Sequence, residues 1–335
     1  MEIKKLGAQS VRFSTPPVIL ASANAVGKKE GEGPLAATFD TIGQDDKFGQ
    51  NSWEKAESEM QKLALSTALS KAALSTADLD YLLAGDLLNQ CISSSFAARG
   101  QDIPFLGLYG ACSTMGESLL LASMLLDGGF GRYAAAVTSS HFCSAERQYR
   151  TPLQYGGQRP PTAQWTATAA GAVILGAAGE GPRVTGCTVG KIVDKGITDA
   201  ANMGAAMAPA AYETLRTHFH DMGRAPADYD LIVTGDLGKL GSEIVRDLFR
   251  KDGTQLKNYN DCGLLLFDLD TQDVHCGGSG CGCAASVLTG FLLQGLKSGK
   301  WKKLLFCPTG ALLSPTSTMQ GESIPSVCHA VSIEV

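Results

Sequence analysis

The chain repeats itself, and no other feature narrows its possible folds so far. The run Asp78-Leu79-Asp80-Tyr81-Leu82-Leu83-Ala84-Gly85-Asp86-Leu87 recurs as Asp228-Tyr229-Asp230-Leu231-Ile232-Val233-Thr234-Gly235-Asp236-Leu237, 150 positions later. Gly131-Arg132-Tyr133-Ala134 recurs as Gly299-Lys300-Trp301-Lys302, 168 positions later, and Ala172-Val173-Ile174-Leu175 as Ala330-Val331-Ser332-Ile333. Three matches in one order read as a duplication. The longer offset places an insertion in the second copy, around residues 258–274. The first match in each copy follows a helix with an apolar face, expected from about Ser52 to Ala73 and from Ala208 to Gly223. Each then enters a short apolar strand. Two halves are expected, residues 1–178 and 179–335.

Each copy also holds a helix almost free of charge, expected at Met115 to Leu126 and at Ala284 to Leu296. A helix without a polar face is buried on every side. One such helix per copy, amid helix–strand alternation, predicts an α/β protein with its central helices paired between two mixed or mostly parallel sheets. The helix N-termini then meet near a pseudo-twofold axis. Cys112 heads one of them, after the tight turn Tyr109-Gly110-Ala111. The run Gly277-Gly278-Ser279-Gly280-Cys281-Gly282-Cys283 heads the other.

Composition removes several classes of function. With 335 residues, a net charge of −5 and no lysine–arginine block, the chain is not built for nucleic acid. No apolar run reaches the ~18 residues of a membrane span, and the N-terminus lacks a signal-peptide core. Ten cysteines in that setting read as reduced, cytoplasmic thiols. His275, Cys276, Cys281 and Cys283 lack the paired Cys-x-x-Cys spacing of a zinc site, so no metal is expected. The glycine run lacks the spacing of a nucleotide fingerprint, so no cofactor is expected either.

Cys112 is the outstanding chemical feature. A thiol at the start of a helix has its pKa lowered by the helix dipole, or shares the seat of a bound anion. A buried structural thiol is the ordinary alternative.

This duplicated pattern, with its cysteine at a buried helix start, resembles the thiolase and ketoacyl-synthase superfamily over nearly the whole chain. The resemblance implies a five-layer α/β/α/β/α fold with Cys112 at the nucleophile position. It also implies that Asp236, in Thr234-Gly235-Asp236-Leu237-Gly238, stands where condensing enzymes carry a catalytic histidine. Cys281 replaces the catalytic asparagine or histidine, and Cys307, in Phe306-Cys307-Pro308-Thr309-Gly310, resembles the second thiolase cysteine. An aspartate places negative charge where an oxyanion must develop, which opposes acyl-transfer chemistry. The stretches Gly107 to Met115, Thr138 to Arg150 and Pro161 to Gly171 more closely resemble the stage V sporulation protein AD family of endospore-forming bacteria. That resemblance implies a non-catalytic protein that binds dipicolinic acid (pyridine-2,6-dicarboxylate) and assists its uptake into the developing spore. It further implies a homodimer, other stage V sporulation proteins at the membrane as partners, and a cytoplasmic place or a peripheral one on the spore inner membrane. The alternative is an acyl-transfer or condensing enzyme that uses Cys112.

Charge in the pocket remains open at this level. Asp236 either faces the ligand or caps the following helix. His141 and His329 either line the pocket or pack in the core, and His218 and His220, two apart on a helix, are expected to be solvated. A dianion calls for a guanidinium, and Arg147, Arg150 and Arg159 fall in the loop after His141. A Ca²⁺ ion travelling with dipicolinate would serve the same purpose, since the ligand offers the oxygen donors this ion prefers.

Overall fold

In the computed structural model, which describes residues 3–149 and 159–335, the repeat is written into one β-ladder. The first copy supplies β1 (Val18–Val26), β2 (Tyr81–Gly85), β3 (Phe105–Gly107), β4 (Tyr133–Ser140) and β5 (Ala169–Gly176). The second supplies β6 (Arg183–Thr188), β7 (Leu231–Thr234), β8 (Tyr259–Asp261), β9 (Lys303–Cys307) and β10 (Ala330–Glu334). Their order is β8-β7-β9-β10-β6-β1-β5-β4-β2-β3. Outward from the β6/β1 junction the two arms are identical in topology. The outer strands pair in parallel and the inner ones antiparallel. The arms touch through one antiparallel pair, Arg183 with Val18. The repeated segments lie on β2 and β7, at the entry to β4 and β9, and on β5 and β10.

The helices that position the site are α1 (Trp53–Lys71), α2 (Thr114–Asp127), α3 (Phe142–Tyr149), α4 (Met203–Met222), α5 (Gly238–Lys251), α6 (Cys281–Val287) and α7 (Leu293–Lys297). A π-helical turn, Leu288–Leu292, runs α6 into α7. Alternate strand residues face opposite ways, and this period of two sorts the side chains into separate layers. Leu83, Ala136, Val173, Val233, Phe306 and Val331 face a central core filled by α2 and the α6–α7 rod. Their neighbours Leu82, Ala135 and Ile174 pack under α1. Ile232, Leu305 and Ala330 pack under α4. Helix, sheet, helix pair, sheet, helix is the expected five-layer arrangement. Close contact at its centre demands glycine: a Cβ on Gly282 would stand 2.3 Å from the Ala169 carbonyl oxygen.

Two expectations move. Helix α4 begins at Met203, capped by Asn202 on the Ala205 amide, and carries Pro209 inside it, so it starts before Ala208. The insertion also lies later than expected. The short polar segment Tyr259–Asp261 is β8, the counterpart of β3, and the extra residues follow it as a short helix (Cys262–Leu266) and the strand Gly278–Ser279. Among the described residues, no helix is long and apolar enough to cross a membrane.

Candidate functional site

The Cys112 elbow is a strained turn stapled by its own hydroxyls. Ala111 is left-handed (φ 49°), and Ala111–Ser113 form one 3₁₀ turn before α2. Thr114 Oγ1 accepts from the Gly110 amide at 3.1 Å and donates to the Ala111 carbonyl at 2.6 Å; Ser113 Oγ donates to the Gly110 carbonyl at 2.7 Å. These bonds hold the thiol at the floor of a cavity of about 420 Å³. The cavity walls come from the elbow, α3, the segment Pro160 to Thr166, the start of α4, Ser279, and the residues after β9. Tyr109 and Tyr149 stand at one side, hydroxyl to hydroxyl at 2.7 Å.

Cys112, Asp236 and Cys281 come together beneath this cavity. Asp236, wholly buried, accepts from the Gly280 amide at 2.8 Å and from Ser279 Oγ at 3.2 Å, both through Oδ2. Its Oδ1 has no well-formed hydrogen bond. Burial lifts the Asp236 pKa to about 7; hydrogen bonding from Cys112 and the Gly280 amide opposes that rise and the nearby Asp261 adds to it. The Cys112 thiol is pushed well above the ordinary thiol range, by burial first and by Asp236 next. The helix start was expected to lower it. Burial wins because the dipole is a partial charge, whereas a buried thiolate forfeits its whole hydration. Cys281 Sγ donates to the Ser139 carbonyl at 2.9 Å and packs against Cys112 without lining the cavity.

Asp236 is not the cap of the helix that follows it. The Leu237 and Gly238 amides, which open α5, donate to Asp261 at 2.9 and 3.0 Å. Asp261 also accepts from Thr234 Oγ1 and the Gly263 amide, so its side chain is fully engaged. Asp236 is thereby left to turn across to the start of α6. Sequence reasoning missed Asp261; the signal was an aspartate directly before the apolar run Cys262 to Leu266, a helix-capping pattern. It also missed Ser279 and the two tyrosines. Gln164, whose Nε2 spans the Asp236 and Gly278 carbonyls at 2.7 and 2.8 Å, lies in the family-like stretch Pro161 to Gly171.

The remaining expected residues lie outside the cavity lining. Cys307 ends β9 inside the α4 core, with burial raising its pKa. His141 is saturated: Nδ1 accepts from the Cys143 amide at 3.1 Å and Nε2 donates to the Asp46 carbonyl at 2.7 Å. His329 Nδ1 accepts from the Gly190 amide at 3.2 Å, and burial lowers its pKa to about 4. Arg147 is paired with Glu54 on the exposed side of α3. Arg159 binds Asp273 at 2.5 Å and lies over Trp165; Arg150 lies outside the described residues. His218, expected in solvent, is wholly buried between Thr188 Oγ1 and Tyr229 OH, each at 2.7 Å, because α4 turns that face onto β6 and β10.

Comparison with known proteins adds the family. The profile of the family described as Stage V sporulation protein AD (SpoVAD) matches residues 7–334. Stage V sporulation protein AD of Bacillus subtilis (strain 168) is 46% identical over 333 residues, covering 99% of this chain and 98% of that protein. Among solved structures, 3-oxoacyl-[acyl-carrier-protein] synthase III from Aquifex aeolicus VF5 superposes with a TM-score of 0.60 at 14% identity, covering 95% of this chain and 100% of that one. The tetronic acid condensing enzyme AbyA1 gives 0.62 at 15% identity over the same shares. At such identities these two structures establish a thiolase-like fold and nothing finer.

Proposed function

The chain belongs to the stage V sporulation protein AD family, and from that premise we propose that its cavity binds pyridine-2,6-dicarboxylate without turning it over and assists its uptake into the spore. The carrying observation is the Cys112 seat with an acid behind it. An enzyme of the neighbours' kind needs a nucleophile that ionises and donors aimed at a developing oxyanion. Here the thiol is held protonated, and its neighbour Asp236 is an acid. The cavity's volume lies in the range of small-molecule sites, and the tyrosine pair offers a flank for a flat ring. Two copies of the chain form the working unit in this reading. Its open edge strand β3 exposes Phe105 and Leu106, and light scattering at micromolar concentration would reveal the dimer. The membrane partners, other stage V proteins that would hold the chain at the spore inner membrane, come from family membership alone.

Calorimetry with dipicolinate tests the reading directly: saturable binding is expected, weakened about tenfold by Cys112→Ala. Iodoacetamide should label Cys112 slowly, as suits a neutral thiol. The competing reading, a condensing or acyl-transfer enzyme, is favoured by the names of the structural neighbours. Consumption of acetyl-CoA or malonyl-CoA that disappears in Cys112→Ala would establish it instead.

A further inference from the structure

We propose that ligand capture in the Cys112 cavity takes up one proton from solvent and holds it on Asp236, so that the site admits a dicarboxylate only together with a proton. This rests on the preceding reading that the ligand is a small dicarboxylate. Among the described residues, no arginine, lysine or histidine lines the cavity. The groups facing Asp236 are Cys112 of the elbow, Asp261 at the end of β8, Cys262 after it, and Cys281 and Cys283 of α6. None is a cation. A dianion added there would meet Asp236 and Asp261 with no cation among the described lining residues to offset it.

The donor inventory points the same way. Gln164 spends both Nε2 hydrogens on backbone carbonyls, and Tyr149 gives its hydroxyl to the Leu87 carbonyl. Ser279 has one hydroxyl hydrogen and gives it to Asp236 Oδ2. While Asp236 is ionised, Gln164, Tyr149 and Ser279 therefore have no hydrogen left to give a ligand. A proton on the unpartnered Oδ1 changes this. The neutral acid keeps the Gly280 amide bond and releases the Ser279 hydroxyl and the Cys112 thiol to donate to a ligand carboxylate. No covalent bond forms or breaks: ionised Asp236, dianion and one solvent proton become neutral Asp236 with dianion bound. The carboxyl is already poised near neutrality by burial, so the proton is available at physiological pH.

Calorimetry of dipicolinate at pH 6.5, 7.5 and 8.5, in phosphate and in Tris, without Ca²⁺ and with it, tests the coupling. The affinity should fall about tenfold between pH 7.5 and 8.5, and the buffer-dependent heat should approach one proton taken up per ligand. Asp236→Asn, which keeps the shape and cannot titrate, should bind with no proton uptake and no pH dependence over this range. The wild-type proton count stands alone if that variant does not fold. Saturable binding with an unchanged Kd and no buffer dependence would overturn the proposal. So would an absolute need for Ca²⁺ without proton uptake, or wild-type proton uptake in Asp236→Asn. Absence of binding at every pH would bring down the dicarboxylate reading itself.

Discussion

The two Gly-Asp-Leu turns share a sequence and a backbone position, yet their aspartates do different work. In the first half, Asp86 is satisfied locally. It accepts from the Leu88 amide at 2.9 Å, the Ser94 amide at 2.8 Å and Ser94 Oγ at 2.6 Å. Its acidic neighbour Glu57 is bonded to Ser139 and Ser144, and its pKa is raised by burial first and by Asp86 next. In the second half, Asp261 has taken the local amides, and Asp236 turns instead to the Gly280 amide at the start of α6, with one oxygen left over. Duplication delivered one acid to each half. In the second half Asp261, at the end of β8, caps the extra helix that follows and holds the Leu237 and Gly238 amides, which leaves Asp236 to turn towards Cys112. A duplicated fold can thus hold one copy of a residue to structure and release the other to a site.

The largest effect expected from this difference is on stability in the first half. Asp86→Ala should cost about 3 kcal/mol, since it leaves two buried amides and a hydroxyl without their acceptor. Urea unfolding would measure it, and a loss below about 1 kcal/mol would erase the distinction between the turns. Of comparable size is the pH dependence carried by Glu57, whose folded pKa is raised to about 8. The folded state keeps this proton after the unfolded chain has lost it. Stability from this group is therefore full below the usual glutamate pKa of 4.5 and declines as pH rises towards the folded value, by up to about 1.4 kcal/mol per pH unit. Glu57→Gln should flatten that part of a melting-temperature profile.

Smaller again is Cys112→Ala, expected to cost about 1 kcal/mol because one buried sulfur is removed. The measurement that matters there is ligand binding, which should fall while the melting temperature scarcely moves. Asp236→Asn should shift stability least, by under about 1 kcal/mol at pH 7, since the amide keeps the Gly280 bond and removes a charge from the interior. Should Asp236→Asn unfold the chain as readily as Asp86→Ala, both turns would be structural.

Much of this architecture was legible beforehand. The three repeated segments located strands at equivalent places in the two arms, and the uncharged stretches found the central helices, because burial on all faces leaves a compositional mark. Local signals failed where tertiary contact set the outcome. Tyr259–Asp261 is too short and polar to announce a strand, and is one only because β7 pairs with it. His218 sits on a helix where nothing nearby in sequence says that Thr188 and Tyr229 will enclose it.

The sequence by itself determined the internal repeat, the layered α/β class and the cysteine at a helix start. These are properties of period, composition and motif, and each is carried within one stretch of chain. Which aspartate faces the thiol, and which way the thiol's pKa is driven, were decided only in three dimensions. Asp236 and Gly280 are far apart in sequence, as are Cys112 and Ser279. Their charge states depend on how completely water is excluded when the two halves close on each other, and no spacing in the sequence records that exclusion.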